Sequence, residues 1–387
     1  MREGAVIVGI GETRVGKHPG RTSIGLQAEA VMRAVRDAGL EREHIDAVFA
    51  LGPYATGSSM HALGVVEYLG LRVPMAVSYD VGGTTSFMGM ALGAAAAIEE
   101  GRVDVAVCTF GENAATRRAP QSHGFDRQVV LEADQYELPF GAGSALIWYA
   151  LMTQRYVDTY RLPPDAFFPI ARAMRRNASL NDNAAYRELY DKAAYLASPM
   201  MAEPIRRFDS SPVADGGGAF VMTSRRFARR HHLPHTPISV LGVGLEATHS
   251  NVVNLPDVHE ISMGAAGRRA FAEAGLTPQD VDLVTVHDGF TVSIAVALES
   301  LGFCGPGEAT RLAAEGALEF DGALPVNTHG GLLSQGHVGG VLHVVEAVRQ
   351  LRGDAGARQV KNARIAAVAG NGGPFAVCGM MVLGKGS

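Results

Sequence analysis

The chain is short of cysteine, of charge and of tryptophan, and each shortage narrows its chemistry. Its three cysteines, Cys108, Cys304 and Cys378, occupy apolar or glycine-rich contexts without metal-type spacing, so neither a disulfide framework nor a metal site is expected. Charged residues are 19% of the 387 positions and the net charge is −5, which leaves no basic stripe for nucleic acid. The longest low-charge run, Met88 to Ile98, is too short and too rich in alanine and glycine to span a membrane. No apolar leader precedes the first strand pattern. A cytoplasmic protein in a reducing compartment is therefore expected. The Gly-x-Gly-x-x-Gly signature is also missing after that strand, which excludes the usual dinucleotide cradle.

Glycine is abundant, at 47 residues without periodicity, and so are apolar side chains, at 47%. An internal repeat organises them. Ala34-Val35-Arg36-Asp37-Ala38-Gly39-Leu40, a polar stretch and Ile45-Asp46-Ala47-Val48 are echoed by Ala270-Phe271-Ala272-Glu273-Ala274-Gly275-Leu276, a polar stretch and Val281-Asp282-Leu283-Val284. Each copy reads as a helix closed by glycine, a turn and a buried strand. Further on, a strand-like run reaches Gly82-Gly83 in one copy and Gly330-Gly331 in the other, and a long apolar helix follows each pair. Four elements repeated in order imply a duplicated α/β fold, with chemistry where the two halves meet.

Strands are predicted at Ala5 to Gly11, Ile45 to Leu51, Met75 to Tyr79 and Val103 to Thr109, and again at Ile365 to Ala369 and Phe375 to Leu383. Helices are predicted over Ser23 to Ala38 and Thr84 to Glu100, the second so apolar that burial on all sides is expected. From Gly111 to Phe208 arginines, most tyrosines and the only tryptophan, Trp148, enter, with helical spacing over Ala145 to Tyr160 and Pro164 to Asn177. This stretch reads as a helical insertion whose arginines would grip a phosphorylated carrier. The expected domains are an N-terminal half over residues 1–110 and 209–237, the insertion over 111–208, and a C-terminal half over 238–387.

Three C-terminal blocks carry a family resemblance. Val286-His287-Asp288-Gly289-Phe290, then Asn327-Thr328-His329-Gly330-Gly331 running to Gly336-His337, then Gln350-Leu351-Arg352-Gly353 resemble the C-terminal half of thiolases, in particular the sterol-carrier-protein-type, lipid-transfer branch. The resemblance implies the thiolase fold, two α/β halves in a five-layer αβαβα body with a helical insertion. It also implies a coenzyme A thioester as substrate, a homodimer pairing near Met75 to Tyr79, and in several relatives a small zinc-ribbon/OB-fold partner subunit.

This sequence departs from the family where the nucleophile should stand. The cysteine expected at the start of the buried helix is replaced by Thr84, beside Thr85 and Ser86, and a second expected cysteine is absent from Val368 to Gly373. The histidines that hold the thioester oxygen in the family match His287 and His337. Steroid side-chain aldolases of the same superfamily carry tyrosines at those two places. His287, His337 and Thr84 are the candidate catalytic residues, and Asn371, Gly372, Tyr136, His123 and Ser86 the candidate substrate-binding ones. Thr84 to Ser86 read equally as helix caps, and Asp288 as a loop anchor. An oxyanion hole without an acyl-enzyme suits aldol or retro-aldol cleavage of an acyl-CoA. The alternatives are acyl transfer through an unusual nucleophile, or a non-catalytic subunit that binds acyl-CoA or lipid.

Overall fold

The computed structural model describes residues 4–54, 60–117, 135–249, 254–255, 257 and 261–386. In the first half, apolar runs form strands β1 (Ala5–Glu12), β2 (Ala47–Leu51), β3 (Met75–Ser78) and β4 (Val105–Glu112), alternating with helices α1 (Ser23–Asp37), α2 (His61–Tyr68) and α3 (Thr85–Glu99). The insertion holds α4 (Ala145–Tyr160), α5 (Phe168–Ser179) and a small hairpin, β5 (Met200–Ala202) with β6 (Ile205–Arg206). That hairpin lies in a stretch whose spacing gave no strand signal. Strand β7 (Gly216–Ser224) returns to the first half. The second half contains β8 (Ile238–Ala247), α6 (Met263–Ala274), β9 (Leu283–Val286), α7 (Thr291–Ser300), α8 (Val341–Arg352), β10 (Ile365–Gly372) and β11 (Val377–Lys385).

The strand order, β3-β2-β4-β7-β1-β8-β11-β10-β9, shows the duplication. Outward from the centre, each half repeats the same succession: first strand, last strand, second-to-last strand and second strand. In the second half the place of β3 is held by Val326, bridged to Val284. The two half-sheets pair through Val6–Ser239 and Ile7–Ile238. Helices α3 and α8 pack between the two half-sheets, while α1 and α6 cover the outer faces. The result is the expected five layers.

Packing repeats along with topology. A Cβ on Gly9 or Gly11 of β1 would fall 2.2 or 2.3 Å from carbonyls of α1, and one on Gly242 or Gly244 of β8 would fall 2.2 or 1.9 Å from carbonyls of α6. Glycine is thus what lets helix and sheet approach this closely in both copies. The two glycine pairs also share a backbone shape, with φ of 105° and 49° at Gly82 and Gly83 and of 100° and 61° at Gly330 and Gly331. Any other residue would be strained there.

Two expectations need correction. Helix α3 is not enclosed on every side, because Leu92 is 45% exposed; its inner face packs between the half-sheets while this outer position opens to solvent. After Gly330-Gly331 the chain makes only a short turn, Gly331–Ser334, and a loop carrying His337 precedes the long helix α8.

Candidate active site

Helix α3 starts inside the seam between the halves. The Thr84 backbone N–H donates to the Asn371 carbonyl at 3.2 Å, and the Thr85 hydroxyl donates to the Gly370 carbonyl at 3.0 Å. These bonds draw the helix start against the end of β10. Thr84 stands at the N-cap position but its side chain caps nothing. Its hydroxyl lies 2.7 Å from His287 Nδ1.

His287 follows β9, and its N–H donates to the Ala369 carbonyl at 3.0 Å, extending the sheet pairing by one residue. His337 is held by its own N–H, which donates to the Pro212 carbonyl at 2.8 Å. The two rings meet edge to face with centroids 5.7 Å apart. Asp288 fixes their relative placement: its carboxyl accepts the backbone N–H groups of Leu332 and Leu333, at 2.8 and 3.3 Å, and a Cβ on Gly331 would collide with it at 1.9 Å. Asp288 is therefore the anchor of the loop that carries His337, and burial raises its pKa well above the carboxylate range against the pull of those N–H donors.

Both imidazoles are neutral at ordinary pH. Burial, with the neighbouring His337 second, pushes His287 down to about 3, and burial pushes His337 down to about 4. Each ring has a hydroxyl at Nδ1: Thr84 for His287, and Ser211 at 3.0 Å for His337. A ring whose hydroxyl donates carries its proton on Nε2 and is an N–H donor there, whereas a ring whose hydroxyl accepts carries it on Nδ1 and presents a bare Nε2.

These groups line a cavity of about 1760 Å³. That exceeds the usual range for a site built for a small molecule alone and suits a long, composite ligand. Asn371 and Gly372 are on its wall. The Asn371 amide nitrogen donates to the Tyr149 hydroxyl at 2.7 Å, while its buried Oδ1 has no hydrogen-bond partner. Tyr149 stacks on Phe290 with centroids 4.7 Å apart and donates to the Gly373 carbonyl at 3.0 Å.

The structure thus brings His287, His337, Thr84, Asn371 and Gly372 together. Ser86 is fully buried behind the wall, where its hydroxyl accepts the Val81 N–H at 3.2 Å and closes the turn before α3. Tyr136 is 69% exposed and is not among the lining residues. His123 lies outside the described residues. Sequence reasoning missed Ser211 and Tyr149, whose roles depend on contacts 126 and 222 residues away.

None of the three cysteines lines the cavity. Burial holds their thiols protonated, raising Cys304 and Cys378 to about 12 and Cys108 still higher. Among the described residues no cluster of metal-ligating side chains occurs and no helix is long and apolar enough to cross a membrane.

A duplicated α/β core whose buried helix starts against one strand-end histidine, with a second histidine on a neighbouring loop, is the architecture of a thiolase. Residues 244–385 match the family described as thiolase C-terminal domain-like. The chain is 32% identical to the steroid side-chain-cleaving aldolase of Thermomonospora curvata, covering 96% of each sequence. It is 31% identical to the acetyl-CoA acetyltransferase of Methanothermobacter thermautotrophicus, over 97% of this chain and 99% of that one. The solved Ltp2-ChsH2(DUF35) aldolase superimposes with a TM-score of 0.86 at 31% identity, over 99% of this chain and 98% of that one. The chain belongs to the thiolase superfamily, in its sterol-carrier-protein-type branch.

Proposed function

We propose that this enzyme makes or breaks a carbon–carbon bond of an acyl-CoA thioester by aldol chemistry. The observation that carries the reading is a cavity wall where two neutral imidazoles, each set by a hydroxyl at Nδ1, meet a threonine in place of a thiol. The similar chains named as an aldolase and an acetyltransferase support an enzyme over a non-catalytic binder.

In the cleavage direction the imidazole whose proton is on Nδ1, donating to its hydroxyl partner, takes the proton from a hydroxyl on the β-carbon onto its bare Nε2. The C–O double bond forms, the Cα–Cβ bond breaks, and its electron pair moves onto the thioester as an enolate. The other imidazole donates its Nε2–H to the enolate oxygen. A proton then returns to the α-carbon and releases the shortened acyl-CoA with a ketone or aldehyde. Rings with such depressed pKa values are weak bases at rest. The negative charge that develops on the enolate stabilises the proton the first ring has taken up, so base and oxyanion donor work as one unit.

The test is incubation of the enzyme, with its small subunit where one is required, with β-hydroxyacyl-CoA, following carbonyl product and shortened acyl-CoA together. Acyl exchange between thioesters without bond cleavage would overturn the aldol reading. It would favour acyl transfer through Thr84, the second reading, which rests on the imidazole 2.7 Å from that hydroxyl.

Two partners belong to this proposal. The superimposed aldolase contains a DUF35 component, which supports a small partner subunit here. A homodimer is supported by β3, an edge strand with alternate residues exposed, beside the exposed Val81 and Leu92.

A further inference from the structure

The insertion's arginines differ in their partners. Arg176 is paired with Glu319 and with Asp321 at 2.6 Å, and Arg172 lies 3.8 Å from Glu319, so both fasten the insertion to the second half. Arg175, on the same helix face, lines a smaller pocket together with those two and also lines the active-site cavity, which they do not. It is 9% exposed. Its Nε donates to the Ser334 hydroxyl and its Nη1 to the Glu188 carbonyl, both at 3.0 Å. Among the described residues Nη2 has no acceptor and no carboxylate lies within ion-pair distance, although the Glu188 charge attracts the group from farther away. The guanidinium carbon instead faces the rings of Tyr190, Tyr186 and Phe208, at 5.0, 5.8 and 5.8 Å.

A buried cation without an anion is costly, and aromatic faces offset only part of that cost. Arg207 adds a second cation to this wall; among the described residues it has no ion pair, and the exposed Glu188 side chain pairs with neither arginine. On the wall at the end of β8 the charge is already neutralised, because Arg269 pairs with Glu246 at 2.6 Å. Asp80 and Glu188 also line the cavity, so the lining as a whole is balanced, and the Arg175 wall, with Arg175 and Arg207 against Glu188, carries the local excess of positive charge. That wall belongs to the His337 side of the site: Ser334 ends the turn leading to His337, and Ser211, three residues beyond Phe208, is bonded to the His337 ring.

We propose that Arg175 is the recognition cation for a carboxylate at the far end of the acyl group, so that the preferred thioesters are ω-carboxyacyl-CoAs. The inference rests on the acyl-CoA reading of the same cavity. A buried guanidinium between aromatic rings fits a monoanion at the end of an apolar chain. The phosphates of the carrier, with several charges that stay hydrated, need several exposed donors instead. Met200 and Met201, both exposed on the same wall, give the chain an apolar path.

The experiment is calorimetry on the full chain with ω-carboxyacyl-CoAs, glutaryl to sebacyl, against straight-chain acyl-CoAs of equal length. None has a β-hydroxyl to cleave, so the result is independent of whether the aldol reaction occurs. Failure to bind either series counts against the acyl-CoA reading itself. Wild type should favour the carboxylated member by roughly 10-fold or more at its best length, as for a charge-assisted hydrogen bond. Arg175→Met should bring that ratio near one, and Arg175→Lys should restore part of it. Equal binding of both series by the wild type at every length overturns the proposal, and this holds even where the Arg175 variants fail to fold. Loss of affinity for free coenzyme A in a folded Arg175→Met also overturns it and reassigns the cation to a carrier phosphate.

Discussion

The Thr84 hydroxyl, at the start of a helix in the first half, lies 2.7 Å from His287 Nδ1, at the end of a strand in the second half 203 residues later. A residue that could have capped its own helix is used to set the tautomer of a histidine. Thr84→Val should leave Nδ1 buried without a partner. We expect a loss of about 1–3 kcal/mol in stability and a fall in turnover with little change in coenzyme A affinity, measured by denaturant melts and steady-state kinetics. Thr84→Ser should recover most of both.

Wild-type protein incubated with acetyl-CoA should keep its mass, because the cavity offers a hydroxyl and no thiol. Thr84→Cys places a thiol against the same imidazole at a helix start, where a thiolate is favoured. That variant should gain a covalent acyl group in intact-mass analysis. A stable acetyl adduct mapped to Thr84 in the wild type would sink the aldol reading.

His287 and His337, with rings 5.7 Å apart, should act as one unit. Each alanine variant should lose roughly 100- to 1,000-fold in turnover, as for removal of one oxyanion donor. The double variant should lose far less than the product of the single effects. Single variants that keep wild-type rates would make these histidines structural.

Four neutral histidines tie stability to pH. His287 is pushed down to about 3, His337 and His329 to about 4, and His343 well below its usual value, all chiefly by burial. Between about pH 6.5 and 4 the unfolded chain binds protons that the fold refuses. Their contribution is thus complete above about pH 6.5 and is lost as pH falls. Asp288 and Asp209, raised by burial, act in the opposite sense, favouring the fold at low pH and losing that contribution as pH rises through their folded pKa values. Tm should decline from pH 6.5 towards 4. Within the folded range kcat/KM should show no acid limb near 6.5; such a limb would mean a histidine that titrates normally.

A Cβ on Gly340 would fall 2.1 Å from the Thr84 side chain, so Gly340→Ala should push the threonine away from His287. Overpacking of this kind costs about 1–3 kcal/mol. Combining it with Thr84→Gly should recover stability but not turnover, which separates packing from chemistry.

The repeat, most strands, the central helix, the helices near Ala145 to Tyr160 and Pro164 to Asn177, and the loops bearing His287 and His337 were legible in the sequence, because periodicity, glycine placement and motif blocks are local properties. What Thr84 does was not legible, since capping and facing a histidine use the same residue at the same position. Nor was the hydroxyl partner of His337, because Ser211 reaches it only through the return of the chain from the insertion. The arginines of α5 looked alike in sequence. Only the tertiary structure separated Arg176, neutralised by acids of the second half, from Arg175, buried on the active-site cavity without an ion pair among the described residues, because the sign and distance of a partner are fixed by packing between segments far apart in the chain.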